Sequence, residues 1–584
     1  MGSSLGRSAA LLAALLVLPH VLGEFWAFQL SLYFLYAIAA LGIGLCWGQA
    51  GFLPLGQALF FGLGAYLSGF ALLRFENSWL LAMLLPLAAL APGALAWLIG
   101  LVVFRGRTES GPYFALITLA ITLLAFQLAN SWNQVTGGYN GLKGIPGLPG
   151  LDGFTAIYHV AALALVAAVA VAGWLTEAPI GVLWRALAEN ERRVSSFGYD
   201  TANLKAAAFG VSGALAGAAG VLYAPQQGLV TPEQCGFALS ADLVIWTAVG
   251  GRRFVLGPVV GTVLIGVLTA ELRDRIGWWE IVVAAVFIAV VLWAPGGFAG
   301  LAATLGRTWR RAGGDAARAS ASTPLVQAPA RTLRRDPTAL QLDRVSSAAG
   351  GVQILDELSL TIDRPGTYCL IGPNGSGKTS TFNVLTGELP AQRGDVSLDG
   401  AHLARRLPHR VARLGVGRKF QIPSVFTELA VADNLAIALW SGRASARDLA
   451  RLSLRRWDSA PLDALRARFA FLADGARPAA ALSHGERQLL ELTMALASEP
   501  RLLLLDEPCG GLSSEETQRV TETIRWARRS MAITVVIIEH DMALVKELAD
   551  HVFVLHQGRL LAEGDVPSVR ADRRVHEVYV GVAE

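Results

Sequence analysis

The run Gly372-Pro373-Asn374-Gly375-Ser376-Gly377-Lys378-Thr379-Ser380 fits G-x-x-x-x-G-K-[ST], a pattern that cradles the phosphates of a nucleotide. Its glycines permit main-chain angles and a close approach that side chains would block. Amides at the start of the following helix face phosphate oxygens. Lys378 neutralises β- and γ-phosphate charge, and the Thr379 hydroxyl is placed to bind Mg²⁺. A second group lies 128 positions beyond Lys378, where the apolar run Leu502-Leu503-Leu504-Leu505 ends in Asp506-Glu507-Pro508. Asp506 would hold Mg²⁺ through water, and Glu507 would orient or deprotonate the attacking water. A third run, Ile533 to Ile538, ends in Glu539-His540-Asp541, where His540 would touch the γ-phosphate and sense its loss.

These groups need strands whose ends converge. From Leu340 onward, strand-type runs alternate with helical ones, an α/β pattern. Thr367 to Ile371 is a short apolar strand leading into the phosphate loop, and Lys378 to Leu385 opens a helix. The Leu502–Leu505 run, apolar throughout, fits a strand buried on both faces.

What precedes this half is different in kind. The chain has 584 residues and a mean hydropathy of +0.47, too high for an ordinary soluble protein, and long uncharged runs fill its first half. The expected fold is two-part. A polytopic α-helical membrane domain covers residues 1–305, a basic flexible linker 306–337, and an α/β P-loop nucleoside triphosphatase domain 338–584.

Trp79 to Phe104 carries no charge over 26 residues. As a helix it reaches about 39 Å, enough for a hydrocarbon core of about 30 Å. About ten spans are read on this basis, near 8–22, 25–45, 52–73, 79–104, 113–130, 156–176, 205–223, 240–250, 256–271 and 279–298. The eighth is too short to cross alone and reads as half of a broken helix. Residues 8–22 have a rival reading as a signal peptide running from Arg7 to Val21-Leu22-Gly23.

The loops orient these spans. Arg105, Arg107, Arg185, Arg192, Arg193, Lys205, Arg252, Arg253, Arg307, Arg310 and Arg311 fall on one side, the excess expected of cytoplasmic loops. The longest opposite loops, 131–154 and 224–239, hold a single basic residue, Lys143. Arg74, Arg273 and Arg275 are exceptions, each with an acidic neighbour: Glu76 for the first, Glu271 and Asp274 for the others. The net charge of +4 is mild, and its basic excess sits in membrane-flanking loops and the linker, which argues against a nucleic-acid partner. Cys46, Cys235, Cys369 and Cys509 are scattered without a C-x-x-C, indicating neither a disulfide framework nor a zinc site.

Two segments bear on coupling. Trp47 to Gln57 is rich in glycine, with one proline, and must bend or break a helix. Gln49 and Gln57 there either line a permeation route or belong to helix packing by small residues, the commoner use. The stretch Gly181–Lys205 has Leu183, Trp184, Leu187 and Ala188 at helical spacing and a break at Gly198. A short amphipathic helix there would dock onto the nucleotide domain.

At this point the residues resemble the ATP-binding cassette family. Leu482-Ser483-His484-Gly485-Glu486-Arg487-Gln488 looks like a variant of its signature loop, Gln421 in Arg418-Lys419-Phe420-Gln421 resembles its Q-loop, and His540 matches its switch histidine. The resemblance implies ATP and Mg²⁺ as cofactors, with Thr379, Gln421 and Asp506 around the metal. It also implies a second cassette placed head to tail, so that Ser483 and Gly485 of one chain meet the nucleotide held by Lys378 of the other.

Residues 1–305 resemble permeases of the branched-chain amino acid and urea uptake family, through Leu41–Trp47-Gly48, Pro54–Gly62, Thr136–Leu142, Gly250-Gly251 and Leu256-Gly257-Pro258. Gly417–Gln421, Leu482–Gly485, Tyr223–Gln226 and Val554–Gly558 lean toward the urea and short-chain amide branch. The family implies ATP-driven uptake across the cytoplasmic membrane with the nucleotide domain inside, a second permease and an extracytoplasmic solute-binding protein. An exporter and a membrane-tethered ATPase without transport are the rival readings. Against the family pattern, Ala349 stands where an aromatic residue often stacks on adenine, Ser513 where many cassettes have an aspartate, and Arg253-Phe254 where permeases often have Gly-Thr.

Overall fold

The computed structural model describes residues 19, 23–75, 78–105, 111–151, 153–273, 275–294, 296–311, 326–329 and 339–580. The first expected span and its signal-peptide alternative, Glu76, Arg107, Asp274 and most of the linker lie outside these residues. The chain divides into two compact units, one of Met1–Ala188 with Thr201–Ser320, the other of Glu189–Asp200 with Ala321–Glu584.

In the first unit the long apolar runs become helices. Among the described residues, five are long and apolar enough to cross a bilayer: Glu24–Gln49, Trp79–Arg105, Pro112–Ser131, Thr155–Glu177 and Thr201–Gln227. A bent pair, Trp279–Trp293 and Gly297–Thr304, turns by 48° at its break and passes only as a unit. About ten spans were expected, the first of which lies outside the described residues. Three other expected spans are shorter helices, Gln57–Arg74 (18 residues), Phe237–Gly250 (14) and Gly257–Arg273 (17).

Small residues set the packing. Helix Ser78–Arg105 carries Pro86 and Pro92, and lies against helix Thr201–Gln227 so closely that a Cβ on Gly213 would stand 2.5 Å from Ala96 Cβ and one on Gly217 2.6 Å from Pro92 Cγ. A Cβ on Gly220 would fall 1.9 Å from the Phe61 carbonyl oxygen. Such close backbone approach drives helix association where lipid removes the hydrophobic force. Gly220→Val is therefore expected to separate these helices, at a cost of about 1–3 kcal/mol. The yield of monodisperse protein from membranes, compared with Gly173→Val at an open position, would show it.

The predicted break is present. Helix Glu24–Ile43 ends in a π-helical turn, Gly44–Gln49, and helix starts again at Gln57. Gln57 is fully buried. Its amide donates to the Ala39 and Ser212 carbonyls at 3.1 and 3.0 Å and accepts from Ser212 Oγ at 3.0 Å. Gln49 donates to the Arg253 carbonyl at 3.1 Å. Both glutamines thus tie helices together rather than line an open route. The two loops read as lying on one face pair with each other, Leu142 opposite Val230 and Lys143 opposite Leu229. Arg275, an exception in the charge pattern, pairs with Glu271 at 2.7 Å.

The nucleotide half is built on strands β1 (Leu340–Ala349), β2 (Val352–Ile362), β3 (Thr367–Ile371), β4 (Arg393–Leu398), β5 (Ala401–His402), β6 (Val416–Lys419), β7 (Leu502–Asp506), β8 (Thr534–Ile538), β9 (His551–His556) and β10 (Arg559–Gly564). One sheet has the order β10-β9-β3-β8-β7-β6 and is parallel except for the β9–β10 pair. The other, antiparallel, has the order β2-β1-β4-β5. Every residue of β3, β7 and β8 is buried, as continuous apolar runs in a covered parallel sheet require. Phe382, Leu504, Ile538 and Leu358 join one core between the sheets.

The linker boundaries need correction at two places. Helix Gly297–Arg311 runs through residues 306–311. Val326–Gln327 forms a short parallel strand with Trp457–Asp458, so this part of the basic segment is tied to the nucleotide unit.

Candidate active site

The parallel sheet brings the chemical groups to one edge. β3, β8, β7 and β6 are neighbours, and their carboxyl ends lead into the phosphate loop, His540, Asp506-Glu507 and Gln421 respectively. Crevices outside the carboxyl ends of parallel strands are where such sheets bind ligands.

The loop after β3 needs its glycines. Gly372 has φ +150°, and a Cβ there would stand 2.2 Å from the Leu555 carbonyl oxygen. Gly377 has φ +101°, with Leu355 Cδ2 2.8 Å from any Cβ. Asn374 and Gly375 are exposed on the outside of the turn, and Ser376 is held by the Gly558 amide, which donates to its carbonyl at 3.0 Å. Lys378 heads helix Lys378–Leu385, and its ammonium donates to the Gly372 and Pro373 carbonyls at 2.7 and 3.0 Å. Burial lowers the Lys378 pKa, opposed by the carboxylates of Glu507 and Asp506. Thr379 is exposed and Ser380 half-buried in the same first turn. The buried Ser376 hydroxyl has no hydrogen-bond partner. With the lysine ammonium and the start of the helix, this orphaned hydroxyl makes a donor set that fits a polyphosphate.

Asp506 ends β7 and is almost fully buried. Burial raises its pKa, while Arg418, whose Nη2 lies 3.8 Å from Oδ2, works the other way. Glu507 follows with φ +44°, a strained conformation for a side-chain-bearing residue, held by its amide donating to the Ile538 carbonyl at 3.0 Å. The strain aims its carboxylate at two partners from neighbouring strand ends. Gln421 Nε2 donates to Oε2 at 3.0 Å, and His540 Nδ1 lies 3.8 Å from Oε1. Gln421, Glu507 and His540, separate in sequence, thus meet. No cluster of three or more His, Cys, Asp or Glu side chains suited to a metal occurs among the described residues. A cation here would rest on Asp506 with the Thr379 hydroxyl and the nucleotide's own oxygens.

Ser483 and Gly485 sit elsewhere in the same unit, on a cleft also lined by Arg468, Phe471, Glu516 and Arg519, with no residue of the phosphate loop. The sequence explains the local form. Ser483-His484-Gly485-Glu486 is a capping box: Ser483 Oγ accepts from the Glu486 amide at 3.1 Å and Glu486 Oε2 accepts from the Ser483 amide at 2.8 Å. Ser513, at the position where many cassettes have an aspartate, caps helix Ser514–Met531 in the same way through Glu516.

The segment predicted to dock does so with different residues. Leu183, Trp184 and Leu187 belong to helix Pro179–Glu189 and are buried within the membrane unit, where Trp184 Nε1 donates to the Leu204 carbonyl at 2.9 Å. The docked part follows. Asn190 caps helix Glu191–Ser196 by accepting from the Arg193 amide at 2.9 Å. Glu189 accepts from the amide and hydroxyl of Thr427, at 2.5 and 2.6 Å. The Tyr199 hydroxyl donates to the Ile437 carbonyl at 2.7 Å, and Arg413 Nε donates to the Gly198 carbonyl at 2.8 Å. Arg193, read from the sequence as one more loop charge, has a fully buried side chain paired with the equally buried Glu491 at 3.5 Å and donates to the Arg418 carbonyl at 2.7 Å. The sequence carries one signal for this pair: Glu491 interrupts the apolar run Leu489-Leu490-Glu491-Leu492.

All four cysteines are free and buried. Burial pushes the Cys369 and Cys509 thiols up to about 12, so neither forms appreciable thiolate at neutral pH. Maleimide is accordingly expected to leave ATP hydrolysis by the native protein intact at pH 7 and to label these two residues only after unfolding, as peptide mapping would show.

Comparison with known proteins agrees with this architecture. Residues 26–291 match the family described as "Branched-chain amino acid transport system / permease component", and residues 355–510 match the family described as "ABC transporter". The chain is 35% identical over 245 residues to the high-affinity branched-chain amino acid transport ATP-binding protein LivG of Salmonella typhimurium, covering 40% of this chain and 94% of that protein. It is 33% identical over 251 residues to the corresponding protein BraF of Pseudomonas aeruginosa, covering 42% of this chain and 98% of the relative. A crystal structure of a nucleotide-free ATP-binding cassette from an ABC transporter shares 27% identity, covering 42% of this chain and 99% of that one, with a TM-score of 0.36.

Proposed function

The chain belongs to the ATP-binding cassette transporters of the branched-chain amino acid transport family, with permease and cassette fused, and from that premise we propose that it imports a small polar solute across the cytoplasmic membrane at the expense of ATP. The observation that carries this reading is that permease-loop residues Glu189–Asp200 belong to the cassette unit, hydrogen-bonded to Thr427, Ile437 and Arg418 close to the groups placed to hydrolyse ATP. A motor without such a mechanical contact could not move membrane helices.

Bound ATP with Mg²⁺ supplies the phosphoanhydride bond whose cleavage drives the cycle. Lys378, the loop amides and the Ser376 hydroxyl hold the phosphates. Thr379, Gln421 and Asp506 would hold a Mg²⁺ ion, which would offset charge on the phosphates. Glu507 takes a proton from the attacking water on a carboxylate oxygen, and His540 beside it reads the γ-phosphate. Ser483 and Gly485, remote from the phosphate loop of their own chain, serve the nucleotide of a second cassette, whether in a homodimer or on a paired subunit. A second permease and an extracytoplasmic solute-binding protein complete the assembly, with the cassette and linker on the cytoplasmic side.

For the solute, two chemistries are in play. The relatives named above are branched-chain amino acid transport proteins, which favours leucine-like solutes. The Arg418-Lys419-Phe420-Gln421 and Leu482-Ser483-His484-Gly485 sequences favour urea or a short-chain amide. Uptake of labelled leucine, urea and acetamide into liposomes holding the assembled complex and its binding protein tests the reading. ATP-dependent accumulation of one of them is the expected result. Extrusion from inverted vesicles would instead make the chain an exporter, and hydrolysis that never responds to solute would make it a tethered ATPase.

A further inference from the structure

Arg418 sits where the nucleotide site and the docked permease segment meet, and its side chain is only 3% exposed. Its Nη1 donates to Glu388 Oε2 at 3.0 Å, Asn383 Oδ1 at 2.8 Å and Thr386 Oγ1 at 3.2 Å. Its Nη2 lies 3.8 Å from Asp506 Oδ2, and its Nε is buried without a partner. The guanidinium stacks 4.7 Å from the centre of the Phe420 ring. Its main-chain carbonyl accepts from Arg193 at 2.7 Å.

Glu388 is shared. The same Oε2 also accepts from Arg192 of the docked helix, and Arg192 Nη2 reaches Asn383 Oδ1 at 3.4 Å. Arg192 and Arg193 both lie over the Phe420 ring, at 5.2 and 5.5 Å. One buried guanidinium therefore divides its charge between Asp506 and the acid that also anchors the docked helix.

We propose that Arg418 is a positioning residue that links the charge on Asp506 to the seating of the Glu189–Asp200 segment, by competing with Arg192 for Glu388. While Asp506 is charged, Arg418 is shared between Asp506 and Glu388, and Glu388 Oε2 accepts from Arg192 as well. When that charge is neutralised, Arg418 turns to Glu388, displaces Arg192 and loosens the helix Glu191–Ser196. Because such linkage is reciprocal, seating of the helix equally strengthens the hold of Arg418 on Asp506. This rests on the assignment of Asp506 to the cation site, yet it concerns this chain's own side chains and is open to test without nucleotide.

The test is hydrogen exchange of residues 189–200 in the full-length, detergent-solubilised protein, free of nucleotide and metal. Asp506→Asn removes the charge. Exchange in this segment is expected to quicken about fivefold or more. In an Arg418→Gln background the same substitution is expected to have less than about a twofold effect, since coupled residues fail to add. Glu388→Gln, which removes the contested acceptor and keeps its shape, is expected to abolish the response as well, and serves if Arg418→Gln does not give a monodisperse protein. An equal response in all backgrounds, or none in the otherwise wild-type protein, overturns the proposal. Added Mg²⁺ with a non-hydrolysable ATP analogue should reproduce the Asp506→Asn effect. If the analogue is retained by the protein and the segment does not respond, the linkage fails while the nucleotide site stands; if it is not retained, the nucleotide reading fails and the Asp506→Asn comparison alone decides the linkage.

Discussion

Glu507→Gln is expected to lower ATP hydrolysis by about 10²- to 10⁴-fold, the range for loss of a general base, and to abolish ATP-dependent uptake. The substitution is nearly isosteric. The strained φ of +44° and the amide hydrogen bond to Ile538 depend on the main chain and survive it. A glutamine carbonyl can still accept from Gln421, which now donates to Oε2 at 3.0 Å. What disappears is the carboxylate that takes the proton from water, so nucleotide should still bind while phosphate release stops. Lys378→Ala differs in kind: it removes the ammonium that heads the phosphate helix, and nucleotide retention should fall together with uptake. Phosphate release, retention of labelled ATP and solute uptake, measured on one reconstituted preparation, separate the two. Normal uptake by either variant would remove these residues from the site.

Arg193→Ala is the second large effect, and it should fall on coupling rather than hydrolysis. The Arg193–Glu491 pair is buried on both sides. Removing one partner of a buried pair costs about 3–5 kcal/mol, because the other charge stays buried. Glu491 has one oxygen without a hydrogen-bond partner already, and its other accepts from the Phe420 amide at 3.1 Å. The loss would unseat the segment that Arg193 anchors, and solute moved per ATP hydrolysed is expected to drop at least about tenfold, commensurate with more than 1.4 kcal/mol of lost coupling. Arg193→Lys should rescue little, since the guanidinium also stacks 4.5 Å from the Phe197 ring, a contact that an ammonium does not replace. Wild-type stoichiometry in Arg193→Ala, with the protein folded, would remove the segment from the transmission path.

Features that depend on local pattern were legible in the chain alone. The phosphate loop, the apolar strands ending in Asp506 and His540, the capping box of Ser483 and the break before Gln57 are written in short windows, because turns, caps and buried strands are specified by a few adjacent residue types. The uncharged run from Trp79 to Phe104 announced its helix in the same way. Long-range pairing is not written so. Gln57 was open between pore lining and packing until Ala39 and Ser212 closed around it. Helical spacing points to the turn around Leu183 and Leu187 as the docking helix, yet Leu183, Trp184 and Leu187 are buried in the membrane unit and the next turn, capped by Asn190, is the one that docks. Arg192, Arg193 and Arg418 looked like ordinary charges of a loop and a strand. The fold gathers them around Phe420, Arg193 and Arg418 buried and Arg192 at the exposed edge, because whether a charge is solvated or paired depends on what lies opposite it in space, and Glu388, Glu491 and Asp506 come from distant parts of the chain.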